Sequence, residues 1–289
     1  MATSLSHKLG ELIGGFFEIA IVRYLEPIVS EKGFYLDYRH PRPARGNQRE
    51  VIGRDSRGNK HKLDIVVEKG GSETKIGVPK AYIEMAWRRY KKHSKNKVQE
   101  IAGAIIPLAQ THAKEIPFYA AVLAGEFTNN AIVQLQSQGF FVLYFTYSEI
   151  CSLFDTVGVS IRWEEDTNEE TIQKIIDDLS FVLSDYNDVI KLQKCFYCMY
   201  EQQLESLVEA LCNSLDTVIT EVIVIPIHGV PQICESIEMA VNFIMGYNEK
   251  NVVPILRYEI IVKYNNGEEY TMGCSDKRKA IQFLNQYIC

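Results

Sequence analysis

No stretch of the sequence approaches the roughly 18 uncharged apolar residues that a bilayer-crossing helix needs, so no membrane partner is expected. The opening MATSLSHKLGEL lacks the unbroken apolar segment of a secretory leader, and a cytoplasmic location is expected. Neither a GxxxxGK[ST] loop nor a GxGxxG turn is present, which leaves chemistry driven by a nucleotide cofactor without a site. Cysteine is unpatterned: seven residues in 289, an odd number, with a single CxxC at Cys195 and Cys198 and no second pair at zinc-finger spacing. Reduced thiols are expected, with those two buried on a helix.

What is present is an acidic chain, net charge -6, with 46% hydrophobic residues, enough for a substantial core. Its positive charge is concentrated. Residues 39–62 hold eight Lys or Arg against Glu50 and Asp55, and residues 80–97 hold seven against Glu84. Two basic segments in an acidic body can attract and orient a polyanion even though the whole molecule repels one.

Apolar residues at three- and four-residue spacing predict a helix over Leu5–Glu31, bent near Gly14-Gly15 or at Pro27, with Glu18 in its middle. Such a carboxylate is either exposed or leans into a metal site. The segment Tyr38–Asn59, rich in Pro, Gly and Arg, predicts a mobile loop and then a short strand, Arg49–Arg54. Arg42 and Arg45 on that loop are candidates to hold DNA, because guanidinium forks match both phosphate oxygens and guanine edges. Two strands follow, about Lys60–Glu68 and Pro79–Ala86, joined through Gly70-Gly71. Alternation puts Lys62, Asp64 and Val66 on one face of the first, and Tyr82, Glu84 and Ala86 on one face of the second.

Over Trp87–Ala113 a helix is expected after a short connector, with Ser94 as N-cap and a kink or break at Pro107; this basic segment carries Arg88, Arg89, Lys91, Lys92, Lys95, Lys97 and Gln99. Pro117–Ala124, Asn129–Ser137 and Phe140–Phe145 read as strand, helix and strand, a crossover unit, with a further helical turn over Glu149–Phe154. Residues 1–160 are thus expected to form one α/β domain. Residues 161–217 turn acidic and helix-periodic, with a capping box at Thr167 and Glu170, and read as a helical connector. Residues 218–289 read as a small α/β domain: strand to Ile227, helix Gln232–Tyr247, a hairpin from Arg257 turned at Asn265-Asn266-Gly267, and a last helix. DNA recognition or dimerisation is the expected work of that domain. His228, at a strand end without a Ser or Cys partner, reads as a loop residue.

Asp64 and Glu84, on adjacent apolar strands with basic segments beside them, fit the need of phosphodiester hydrolysis for a hard cation. Magnesium is held by one or two carboxylates with waters and phosphate oxygens, and the Met85 carbonyl could supply a third protein oxygen. These residues resemble the PD-(D/E)xK nucleases of the restriction-endonuclease-like fold. The match is a helix, a hairpin bearing Asp64, Glu84 in the strand IEMAW, a basic helix, and then strand, helix, strand, over about residues 5–155.

The resemblance implies a mixed sheet flanked by helices, Mg2+ on Asp64, Glu84 and Met85, and a type II restriction-like cut in double-stranded DNA. A homodimer is implied by the symmetry of cutting both strands. The chain departs from the family at Ala86, where a lysine is usual. Either another cation fills that role, with Lys97 or Lys95 favoured over Lys91 and Lys62, or the chain binds nucleic acid without cutting it. Gln99 could position a water. The DNA-contacting set is then Arg42, Arg45, Arg88, Arg89, Lys91, Lys92 and Gln99.

Overall fold

The computed structural model describes residues 4–226, 229–248 and 258–288. The chain divides into two units, Met1–Leu215 and Asp216–Cys289. The first opens with α1 (Leu5–Glu31), capped by the Ser4 hydroxyl, which accepts the His7 N–H. The helix is continuous through Gly14-Gly15 and Pro27. Leu9, Ile13, Phe17, Ile21 and Leu25 give it one fully buried stripe.

The strands β1 (Phe34–Tyr38), β2 (Val51–Arg54), β3 (Lys60–Leu63), β4 (Ile65–Lys69) and β5 (Val78–Arg88) follow. Next come α2 (Ser94–Thr111), β6 (Phe118–Gly125), α3 (Asn129–Ser137), β7 (Phe141–Thr146) and α4 (Tyr147–Asp155). Five strands make a mixed sheet in the order β1-β4-β5-β6-β7, antiparallel from β1 to β5 and parallel from β5 to β7. The crossovers through α2 and α3 produce the parallel half, as the strand-helix-strand pattern predicts. Alternate residues of β5 face different cores: Ala81 and Ile83 pack with α1, Tyr82 and Ala86 with α2 and α3.

Two expectations around the site need correction. The strand over Lys60–Glu68 is interrupted at Asp64; β3 pairs only with β2 in a separate hairpin, and β4 joins the main sheet. The helix over Trp87–Ala113 begins only at Ser94. Parallel pairing carries β5 on to Arg88, opposite Gly125, so Arg88 and Arg89 lie at a strand end. Gly125 has φ +103° and a Cβ there would overlap the Arg88 carbonyl, so glycine is what allows this approach. Ser94 is not the cap either: it is buried, and its hydroxyl donates to the Lys91 carbonyl at 2.7 Å.

The segment expected as a connector is part of the first unit. Helices α5 (Glu169–Ser184), α6 (Tyr186–Met199) and α7 (Glu201–Leu215) turn Leu179, Phe196 and Leu207 into the same core as α1 and the sheet. Tyr197 on α6 donates to the Ala20 carbonyl at 2.9 Å. Their acidic residues are the outer faces of amphipathic helices. The α5 cap is Asn168, one residue past the expected Thr167. Cys195 is half-buried but Cys198 is exposed, against the expectation that both are buried.

The second unit has β8 (Ile219–Pro226), β9 (Gln232–Cys234), α8 (Ile237–Gly246), β10 (Tyr258–Tyr264), β11 (Glu269–Cys274) and α9 (Lys277–Leu284). Its antiparallel sheet runs β11-β10-β8-β9. Residues 232–234, expected in a helix, pair with β8, and the helix starts only after Ser236, whose hydroxyl accepts the Met239 N–H. His228, the expected strand ends at Ile227 and Arg257, and Cys289 lie outside the described residues.

Candidate metal and phosphate site

Asp64 occupies the bend where the chain leaves the hairpin and enters the main sheet. The β4–β5 register, Ile65 opposite Ile83, brings it beside Glu84. The Asp64 N–H donates to Glu84 Oε1 at 3.3 Å, and the Met85 N–H donates to Asp64 Oδ2 at 2.8 Å. Each acid therefore accepts a backbone N–H from the other's segment, Glu84 from Asp64 and Asp64 from Met85.

The acids are held where charge is unfavourable. Glu84 is 6% exposed. Burial first, and then the neighbouring Asp64 carboxylate, push its carboxyl up to about 8; the Asp64 amide and Lys97 pull the other way. Burial also raises Asp64, opposed by the Met85 N–H and by Lys97 and Lys62. Glu18 reaches the same region from α1, raised by burial and then by Asp64. Among the described residues no group of three or more His, Cys, Asp and Glu side chains is close enough to hold a metal. A hard octahedral cation does not need one: two carboxylates, the Met85 carbonyl and water make a donor set of the right chemistry. Like charges gathered out of water, with little to neutralise them, are the electrostatic complement of such a cation.

Of the two favoured lysines, Lys97 is among the main charges acting on both acids. Ala86 and Val98 share one apolar cluster, so position 86 faces α2, the helix from which Lys97 extends. Lys97 also lies 3.6 Å from Glu100. Lys95 and Gln99 are exposed on the same helix.

The expected DNA contacts are mostly engaged elsewhere. Arg42 is fully buried: it pairs with Asp37 at 2.7 Å and Glu68 at 2.8 Å, and donates to the Ser72 and Lys75 carbonyls. Arg45 pairs with Asp37 and donates to the carbonyls of Tyr38 and His40. The Arg-rich loop is thus pinned to the β4–β5 turn, and neither guanidinium is offered to a phosphate. Arg89 donates to the Trp163 carbonyl, pairs with Glu164 at 2.8 Å and stacks 3.9 Å over the Tyr147 ring. Lys91 pairs with Glu126 at 3.4 Å and Lys92 with Glu165. Arg88 is half-buried, 3.9 Å from Glu100.

Two cavities with four lining residues in common lie beside α1, and Asp64 lines one of them. One, of about 460 Å³, is lined by Gly14, Gly15, Glu18, Arg39 and Asp64; the other, of about 490 Å³, by Gly10, Arg88, Tyr90, His93, Lys97 and Trp163. Glu11, Met85, Ala86 and Trp87 line both. Sequence reading missed Glu11 and Arg39, and only the glycines Gly10, Gly14 and Gly15, four and five residues apart on α1, hinted that a helix face was being kept bare.

No family model and no curated protein matches the sequence. Among solved structures, the crystal structure of a protein of unknown function, AF1548, aligns over 71% of this chain and 98% of its own, at 10% identity and a TM-score of 0.31. A likeness so slight identifies neither fold nor function; what the structure itself establishes is an α/β chain whose mixed five-stranded sheet is flanked by helices.

Proposed function

We propose that the chain is a magnesium-dependent nuclease built on the restriction-endonuclease-like arrangement, with Asp64, Glu84 and the Met85 carbonyl as cation ligands. The observation that carries this reading is the mutual approach of the two acids, each hydrogen-bonded to the other's segment, with Lys97 opposing their charge. Magnesium bound there would neutralise charge on the scissile phosphate and acidify an attacking water. Asp64 and Glu84 orient the ligand oxygens, and their burial keeps bulk water from competing for them. Lys97 takes the place left by Ala86, approaching from α2 to stabilise negative charge that develops on the phosphate.

The test is cleavage of plasmid and oligonucleotide substrates with Mg2+, with and without chelator. Wild-type protein should nick in a chelator-sensitive manner, Glu84→Gln and Asp64→Asn should abolish nicking, and Lys97→Ala should slow it about hundredfold or more. Lys95→Ala should cut normally. Nicking that survives Glu84→Gln sinks the assignment. Ala86 favours a second reading, a nucleic-acid-binding protein that keeps the fold without cutting; cation-dependent binding with no cleavage under Mg2+ or Mn2+ would select it.

A further inference from the structure

We infer that the substrate of this site is a single strand of nucleic acid, drawn through the trough formed where the two cavities join. Its chemistry rests on the nuclease reading above; its geometry does not. The shared lining of Glu11, Met85, Ala86 and Trp87 makes the cavities one trough. It follows α1 from Ser6 to Glu18, about 18 Å at 1.5 Å per residue. That is about five phosphate spacings of a stacked strand, too long for a mononucleotide.

Both cavities hold cations. Arg39 lines one cavity, and Arg88 and Lys97 line the other. Arg39 is 55% exposed, and Glu50 bridges it at 3.7 Å to Lys62, itself 2.6 Å from Glu50. Both cations bear on Glu18, on α1 beside the acids. On the Lys97 side Trp87, Tyr90 and Trp163 line the wall; Trp163 is itself buried, so the half-buried Trp87 and Tyr90 offer the aromatic surface. A basic track interleaved with aromatic faces is how single strands are held without base-edge readout.

A duplex fits the same surface poorly. Asp64 lines the trough and Glu84 beside it is only 6% exposed, so a phosphate must come down to recessed acids, which a thin strand does more readily than a double helix. Arg42 and Arg45, the residues best placed in sequence to grip a duplex, are locked inside the fold. Glu11 and Glu18 on α1 repel phosphates, which leaves Arg39, Arg88 and Lys97 as the cations of the lining able to take them.

The experiment is a binding titration in EDTA with the full-length Glu84→Gln protein, read by intrinsic tryptophan fluorescence. The probes are a 12-nucleotide strand, as DNA and as RNA, and the DNA duplex of the same sequence. The expected result is quenching by a single strand, bound about tenfold or more tightly than the duplex; the stronger of the DNA and RNA arms identifies the sugar. Added to that protein, Tyr90→Ala should weaken single-strand binding about fivefold or more while Tyr90→Phe retains it. Arg39→Ala should weaken binding and lower its salt slope by about one.

Equal or tighter binding of the duplex overturns the inference, as does single-strand binding indifferent to both Tyr90→Ala and Arg39→Ala. The two readings fail separately. Preferential strand binding without cleavage by the wild-type protein removes the nuclease and leaves the track, whereas a duplex cut in preference to single strands removes the track and leaves the nuclease.

Discussion

At Glu84 the carboxyl holds a proton more readily in the folded chain than in the unfolded one, because burial and Asp64 lift it from 4.5 to about 8. Stabilisation from that proton is complete below 4.5 and is lost as pH rises to about 8. Without metal, the melting temperature should therefore fall over that interval on account of this group. Glu84→Gln should flatten the fall and melt higher than wild type at pH 8 in EDTA, and a lower melting point there would contradict the burial argument. Arg42 works in the opposite sense. Removing it with Arg42→Met leaves Glu68 buried without its counter-ion and Asp37 with Arg45 alone, and denaturant unfolding should report a loss of about 3–5 kcal/mol. Asp64 and Glu84 were legible in the sequence because each interrupts an apolar strand. Arg42 was not: composition records a positive charge but not the direction in which it points, and Glu68 meets it from 26 residues away.

Among elements, what is near in sequence was read well and what depends on remote pairing was not. The helix over Asn129–Ser137 has the bounds its sequence predicts, since its signals are local. The helix begins within a residue of its expected cap at Ser94, but the strand over Trp87 and Arg88 ahead of it is unforeseen, because β6, some 35 residues on, holds them by a parallel ladder that no local pattern announces. Close approach of α1 to that strand gives a further test. A Cβ at Gly10 would stand 3.2 Å from the Trp87 ring, tighter than ordinary contact. Gly10→Ala should shift the tryptophan emission and reduce stability, by less than the 2–5 kcal/mol expected for a large-to-small change such as Leu179→Ala on α5. Chemical unfolding followed by tryptophan fluorescence measures both. The size of the Leu179 effect also tests whether α5 is core or accessory.

For the whole chain, the division at residue 215 means that the first unit needs α5, α6 and α7 to cover α1 and the sheet. A fragment ending at 215 should melt cooperatively by circular dichroism, whereas one ending at 160 should not, because it would expose the apolar residues those helices bury. The acidity of 161–217 suggested a solvated connector; charge on one face of a helix says nothing of what the opposite face covers. The expected homodimer depended on a cut through both strands of a duplex. A single-strand track completes its chemistry within one copy, so the protein should sediment as a monomer with undiminished activity at low concentration, and activity that vanishes on dilution would restore the pairing argument.

The interruption of the strand at Asp64 gives the protein a reporter of its own. The amide proton there, pointing at a Glu84 oxygen rather than along a ladder to a neighbouring strand, is tied to the very atom a divalent ion would claim. Titrating a diamagnetic cation into nitrogen-15-labelled protein should move that one resonance early and far while the signals of β4 hold still, timing occupancy before any substrate is added.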